Sequence, residues 1–217
     1  MTVEMITEYD QYEVTNGAVK WSGSEVSAPA VPLGCTGSLE VETELKVVTK
    51  KCEGYETKSV PIPQKMTGTF IGHMPVDILR KAYGLRTTGL KPGVWAYGTK
   101  SRAGTGIFTW DVFNLEGDER KMMAFPNGQI GAGFKFKIEN GGEEIAEVEM
   151  PINFLKDSNR EFYYEAFESE VEDEDIKTNW NKNFGLDLIK GTEGVEGFSL
   201  RMAQTEEPDM KEKVTKK

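Results

Sequence analysis

Few side chains in this sequence have the types and spacing for bond-making chemistry. His73, between Gly72 and Met74, is the only histidine. A Ser-His-Asp relay needs its histidine held by a carboxylate, and a multi-histidine metal site needs several. His73 has no such partner nearby, so a structural hydrogen bond at a strand-to-helix junction is its expected role. Cys35 and Cys52 lie seventeen positions apart with no C-x-x-C, which reads as two free thiols rather than a disulfide framework or a zinc site. Gly93 to Ser101 ends Gly98-Thr99-Lys100-Ser101. A phosphate-cradling loop requires glycine directly before the lysine, between a strand and a helix. Thr99 intervenes, and a plain turn is expected. Glu165 to Asp175 holds seven carboxylates in eleven residues. It lacks the mid-loop glycine of a calcium-binding EF-hand and reads as a solvated charged face. Nothing nominates one pair of the 36 acids for glycoside hydrolysis. Trp21, Trp95, Trp110 and Trp180 suit a carbohydrate platform or a core and subunit-interface role. Trp110, in an apolar run, belongs to the core. The expectation is a protein without catalytic residues, bound metal or cofactor.

Charge narrows the partners. The 217 residues carry 26 Lys+Arg against 36 Asp+Glu, a formal net charge of -10. That excess repels phosphate backbones and argues against tight nucleic-acid binding. No apolar run approaches the roughly 20 residues of a membrane-spanning helix. Met1 to Met5 lacks the basic-then-apolar order of a secretory signal. The length suits one domain with appendages. Residues 1–190 are expected to form a β domain with an extended N-terminal arm, and residues 191–217, polar and lysine-rich at the end, a flexible tail.

The elements that would position these residues are mostly strands. From Leu39 to Val47, Leu39, Val41, Thr43, Leu45 and Val47 share one side, and Glu40, Glu42, Glu44 and Lys46 the other. One buried and one wet face are expected. Met66 to Met74 reads as a second strand. Ile107 to Leu115 is apolar on both faces and reads as a strand covered on both sides. The acidic turn Glu116 to Glu119 leads to a return strand around Met122 to Phe125. Phe134 to Met150 reads as a hairpin, and a three-residue Gly141-Gly142-Glu143 loop aligns Lys135 with Glu149 and Phe136 with Val148. One helix follows Pro75: Asp77 suits its positive end, Arg80 and Lys81 its negative end, and Gly84 its stop. Val76, Leu79, Ala82 and Tyr83 are its expected stripe against the sheet, with Ile78 on the flank. Two stretches read as long and open: Tyr55 to Lys65, where prolines forbid regular pairing, and Arg86 to Gly106.

Met66 to Leu85, MTGTFIGHMPVDILRKAYGL, resembles the strand-into-helix segment of siphovirus major tail proteins, the tail-tube subunits of phages with long non-contractile tails. The similarity extends back to Gly34-Cys35-Thr36-Gly37-Ser38 and the alternating strand after it. It extends forward to Leu115-Glu116-Gly117-Asp118-Glu119 and Ala124-Phe125-Pro126-Asn127, covering roughly residues 30 to 155. The resemblance implies a mainly β fold with one flanking α-helix, a β-sandwich or barrel of the tail-tube type. It further implies stacked, hexameric rings of identical chains in a virion tail, made in the host bacterial cytoplasm and joined to other tail proteins. Double-stranded DNA would pass through as cargo, without specific binding, and no membrane would be involved.

Two placements follow from that expectation. Glu40, Glu42 and Glu44 are candidate channel-lining residues, because carboxylates do not adhere to a sliding duplex. Val60, Pro61, Ile62 and Pro63 are the candidate inter-ring loop. A different class stays open: a β-sandwich surface module that binds carbohydrate or a protein partner through exposed tryptophans.

Overall fold

Period-two alternation builds the centre of the molecule. The structure, a computed structural model, describes residues 5–23, 28–135 and 147–191. In β5 (Thr105–Phe113), Phe108, Trp110 and Val112 enter the main core. In β6 (Arg120–Ile130), Met123, Phe125 and Ile130 do the same. The intervening Met122 and Ala124 are also buried, in a second cluster with Trp180 and Phe184 on the other face of the sheet. Both strands are therefore covered on both sides, which explains why β5 is buried at consecutive positions from Phe108 to Val112.

Around this pair lie β1 (Glu13–Trp21), β2 (Val31–Pro32), β3 (Cys35–Cys52), β4 (Tyr55–His73), β7 (Val148–Phe154) and β8 (Tyr164–Phe167). All eight join one antiparallel sheet in the order β2-β1-β5-β6-β7-β4-β3, and β8 pairs with a separate part of β6. The sheet curls on itself like a barrel. Phe70 of β4 meets Trp110 of β5, with ring centroids 6.4 Å apart. Gly17 of β1 comes so near Thr36 of β3 that an added Cβ would stand 3.1 Å from its hydroxyl oxygen. The fold is mainly antiparallel β, as expected, and the described residues hold two helices.

The first helix, α1 (Val76–Ala82), starts after Pro75 and ends before Gly84, whose φ of +63° supplies the left-handed stop. Its buried face differs from the expected one. Ile78, Ala82 and Tyr83 are buried and Leu79 packs beside them, whereas Val76 is 59% exposed. The i,i+4 pairs Ile78/Ala82 and Leu79/Tyr83 form the ridge, and Val76 lies about a quarter-turn off it. Sequence patterning missed α2 (Glu174–Asn183) and β1. In α2, Ile176 and Trp180, with Phe184 just beyond its end, recur every fourth position and pack on β6.

Most of the expected Phe134–Met150 hairpin, including its Gly141-Gly142-Glu143 loop, lies outside the described residues. At its two ends Lys135 Nζ stands 2.6 Å from Glu149 Oε2.

Candidate assembly surface

The most unusual element is the β3–β4 hairpin. Its register runs from Cys35↔His73 to Cys52↔Tyr55. On its other side β4 pairs with β7 only over Met66–Gly72, and β3 is the last strand of the sheet. From Glu44↔Lys65 outward the hairpin is a two-stranded ribbon that leaves the body, roughly 25 Å long at strand rise. Every residue from Glu40 to Lys65 is exposed.

The stretch Tyr55–Lys65, expected as an unpaired excursion, is thus the outer half of a strand. Pro61 stands opposite Val47, and Pro63 opposite Leu45. Two prolines two positions apart remove donors from the same edge of the strand, and along this stretch one edge of β4 has no neighbour among the described residues. The chain keeps its pairing to β3 because the missing N–H groups face outward.

The ribbon's faces follow from its register. Glu40, Glu42 and Glu44 share one face with their cross-strand partners Thr69, Thr67 and Lys65. Further out that face carries Lys46, Val48 and Lys50 opposite Ile62, Val60 and Lys58. The other face starts in the core, where Leu39 packs opposite fully buried Phe70. It continues outward through Val41, Leu45 and Val47, beside Pro63 and Pro61. Val41, Leu45 and Val47 are 38%, 52% and 57% exposed, and Val60 and Ile62 on the first face about 40%. The core's apolar stripe runs off the body into solvent.

Bulges bend the ribbon at its base, between Thr36 and Ser38, and again between Glu44 and Leu45. The outer part, residues 45–63, has four lysines against two glutamates. A basic, apolar arm is joined to an acidic base.

The remaining candidates are placed elsewhere. Trp21, Trp110 and Trp180 are buried, and Trp95 alone of the four is exposed, with the Arg80 guanidinium carbon 4.6 Å from its ring centroid. A multi-tryptophan platform is therefore not present. His73 is exposed at the end of β4, and both cysteines are free and exposed. The acidic stretch is more structured than a solvated face. Asp173 caps α2 by accepting a hydrogen bond from Asp175 N at 2.8 Å. Glu165 pairs with Lys121 at 2.6 Å, and Glu168 with Arg120 at 3.0 Å. Among the described residues no cluster of His, Cys, Asp and Glu could hold a metal ion, and no helix is long and apolar enough to cross a membrane.

No protein-family model matches the chain, and no curated protein does. Solved structures do. The chain is similar to one in the PVC sheath–tube complex of an extracellular contractile injection system, extended state: TM-score 0.40, 11% identity, covering 75% of this chain and 91% of that one. It is similar to a chain of the PVC sheath/tube terminator, with TM-score 0.40, 13% identity, and 76% and 99% of the two chains covered. It is also similar to the tube-terminating cap of the anti-feeding prophage, with TM-score 0.39, 13% identity, and 76% and 97% covered.

Proposed function

We propose that this protein is a structural subunit of a phage-type tail tube. Copies assemble into stacked, hexameric rings around a channel that conducts double-stranded DNA during ejection. The subunit works in the virion tail, beside other tail proteins.

The observation that carries this reading is the bare ribbon. A two-stranded hairpin alone in water is marginal at best, and apolar side chains on both of its faces make it worse. Covering one valine or leucine stabilises by roughly 1.5–3 kcal/mol. An arm of this composition is expected to be buried against another copy of the chain. A surface used head-to-tail between identical chains closes as a ring or propagates as a filament.

The charge distribution supports a division of labour. The acidic base, with Glu40, Glu42 and Glu44, suits a wall past which a duplex slides. The lysine-bearing ribbon would grip phosphates, so it belongs at an inter-ring contact with the acidic surface of a neighbour. Val60, Pro61, Ile62 and Pro63 lie on that ribbon.

Negative-stain microscopy of concentrated protein tests the reading. Rings or tubes are expected, and they should vanish when residues 45–64 are replaced by an Asn-Gly turn joining Glu44 to Lys65. A folded, monodisperse monomer of the intact chain that binds glycans or a protein partner would instead establish the surface-module reading.

A further inference from the structure

The two ends of the central strand pair carry opposite charge. Residues 78–104 hold six cations, Arg80, Lys81, Arg86, Lys91, Lys100 and Arg102, and no Asp or Glu, in a chain of net charge -10. The fold gathers this stretch beside the start of β5. Gly104 N donates to the Ala82 carbonyl, and Ile130 N to the Gly104 carbonyl. Lys81 Nζ stands 5.6 Å from the ring centroid of Trp21, the last residue of β1. Every residue from Thr87 to Lys100 is exposed, and Leu90, Val94, Trp95 and Tyr97 stand in solvent among them. The Arg86↔Ala96 bridge and the Arg80 guanidinium against Trp95 fix the shape of the segment.

The other end of β5, nine residues and roughly 27 Å along the strand, is acidic. The turn from β5 to β6 presents Glu116, Asp118 and Glu119. Asp10 joins them, because Tyr9 Oη donates to the Val112 carbonyl at 2.6 Å and Tyr12 N to the Phe113 carbonyl. Glu168 and Glu170 follow β8 to the same place, where Glu168 N donates to the Arg120 carbonyl and Ser169 N to Glu119 Oε1 at 3.2 Å. Tyr12 and Leu115 are exposed at this end. Register keeps the two ends apart: Trp21 lies opposite Gly106, whereas Glu13 and Arg120 both lie opposite Phe113.

We propose that the basic, aromatic end of one copy docks on the acidic turn end of the next, joining identical chains head-to-tail. Complementary charge steers the two ends together and sets their orientation, and like ends repel. The apolar side chains supply the dry centre: Leu90, Val94 and Tyr97 on one copy meet Leu115 and Tyr12 on the other. Trp95 with Arg80 on its ring is the anchor, since Trp and Arg dominate binding energy at interfaces. A DNA duplex would satisfy the lysines but offers nothing apolar to Leu90 and Val94, whereas a second copy supplies both. Two unlike ends repeat from copy to copy, so the contact propagates. It rests on the tail-tube reading, in which identical chains stack, and uses no residue of the ribbon.

Zero-length cross-linking of the full-length protein tests it. A carbodiimide joins an amine to a carboxylate only where the two touch, and within one chain these ends are too far apart. In an equal mixture of isotopically light and heavy protein, Lys91 or Lys100 of one copy should link to Glu116, Asp118 or Glu119 of another. Lys91→Glu, Lys100→Glu, Arg102→Glu changes exposed side chains only, so it should unfold at the parent's urea concentration. In sedimentation velocity it should need at least tenfold more protein than the parent to associate. Rings or tubes of the parent without these links, or unchanged association of the variant, would overturn the docking and leave the tube reading intact. The links in open strings, with neither rings nor tubes, would uphold the docking and overturn the tube. A parent that stays monomeric without the links would overturn both, and one that instead binds a duplex through Lys91 and Lys100 would make the basic end a nucleic-acid site.

Discussion

Asp111 Oδ2 accepts a hydrogen bond from Asn181 Nδ2 at 2.6 Å, tying α2 to the centre of β5 across 70 residues of sequence. The same oxygen accepts from Asn16 Nδ2 at 2.8 Å, and Arg120 Nη1 stands 3.7 Å away. Asp111 is fully buried. One carboxylate thus holds together β1, where its register against β5 shifts between Thr15 and Ala18, the start of β6 and the second helix.

Removing that carboxylate leaves the partly buried donors of Asn16 and Asn181 without their acceptor. A hydrogen bond to a charged group contributes roughly 1.5–3 kcal/mol. Asp111→Ala should lower the unfolding free energy by about that amount in urea titrations. Because Asn181 loses its partner, amide exchange in α2 should accelerate ahead of global unfolding.

None of this network was legible in the sequence, because Asn16, Asp111, Arg120 and Asn181 share no local pattern. The ribbon's faces were legible: alternation from Leu39 to Val47 gave the correct sides. Alternation did not say that half of the apolar face stays uncovered, since burial depends on where β7 stops. The prolines misled for a related reason. Pro61 and Pro63 exclude a central strand but not an edge, and edge position is a tertiary fact. α2 was hidden by composition, for its acidic first turn looks like a charge run until Ile176, Trp180 and Phe184 are read as one stripe.

Glycine positions separate backbone strain from packing. At Gly84, with φ of +63°, a Cβ would lie 1.9 Å from the Arg102 carbonyl oxygen, so alanine there adds a clash to left-handed strain. At Gly89, with φ of +79°, nothing lies within 4 Å. Gly89→Ala should cost about 1 kcal/mol, and Gly84→Ala at least twice that, by thermal or urea unfolding.

The acid limb of stability should involve Glu165. Burial pushes its carboxyl up, but hydrogen bonds from Lys121 and Tyr163 and the Lys121 charge outweigh that and hold it below the usual range. A depressed carboxyl contributes stability that is present above its unfolded value, roughly 4.3, and lost as pH falls through the lower folded value. Melting temperatures followed from pH 7 to 3 should fall in that window. Glu165→Gln should be less stable at pH 7, with a shallower fall below pH 4.5.

Ribbon substitutions should leave the subunit intact and affect only its association. Leu45 and Val47 are more than half exposed, and exposed substitutions usually change stability by no more than about 0.5 kcal/mol. Leu45→Lys with Val47→Lys should therefore unfold at the same urea concentration as the parent. In sedimentation velocity the variant should stay monomeric at concentrations where the parent forms rings. Loss of folding would mean that the ribbon is part of the subunit's own core, and normal assembly would move the contact elsewhere.

The acidic base makes the sharpest prediction about cargo. Glu40, Glu42 and Glu44 project from one face, opposite Thr69, Thr67 and Lys65, so Glu44 is the one with a cation directly across the strands. Reversing Glu40 and Glu42 converts an acidic stripe into a basic one without touching the apolar face that meets Phe70. Rings and tubes of Glu40→Lys, Glu42→Lys should form normally under the microscope. Each lysine that contacts a phosphate releases counterions, and binding weakens with salt at a log–log slope of about 0.9 per contact. Tubes of the variant should therefore retain a fluorescent duplex at low salt and release it steeply as salt rises, whereas parent tubes should let it pass at any salt. Because a channel wall repeats the substitution in every subunit, the difference should be large. If variant and parent tubes treat the duplex alike at low salt, this face does not line the channel.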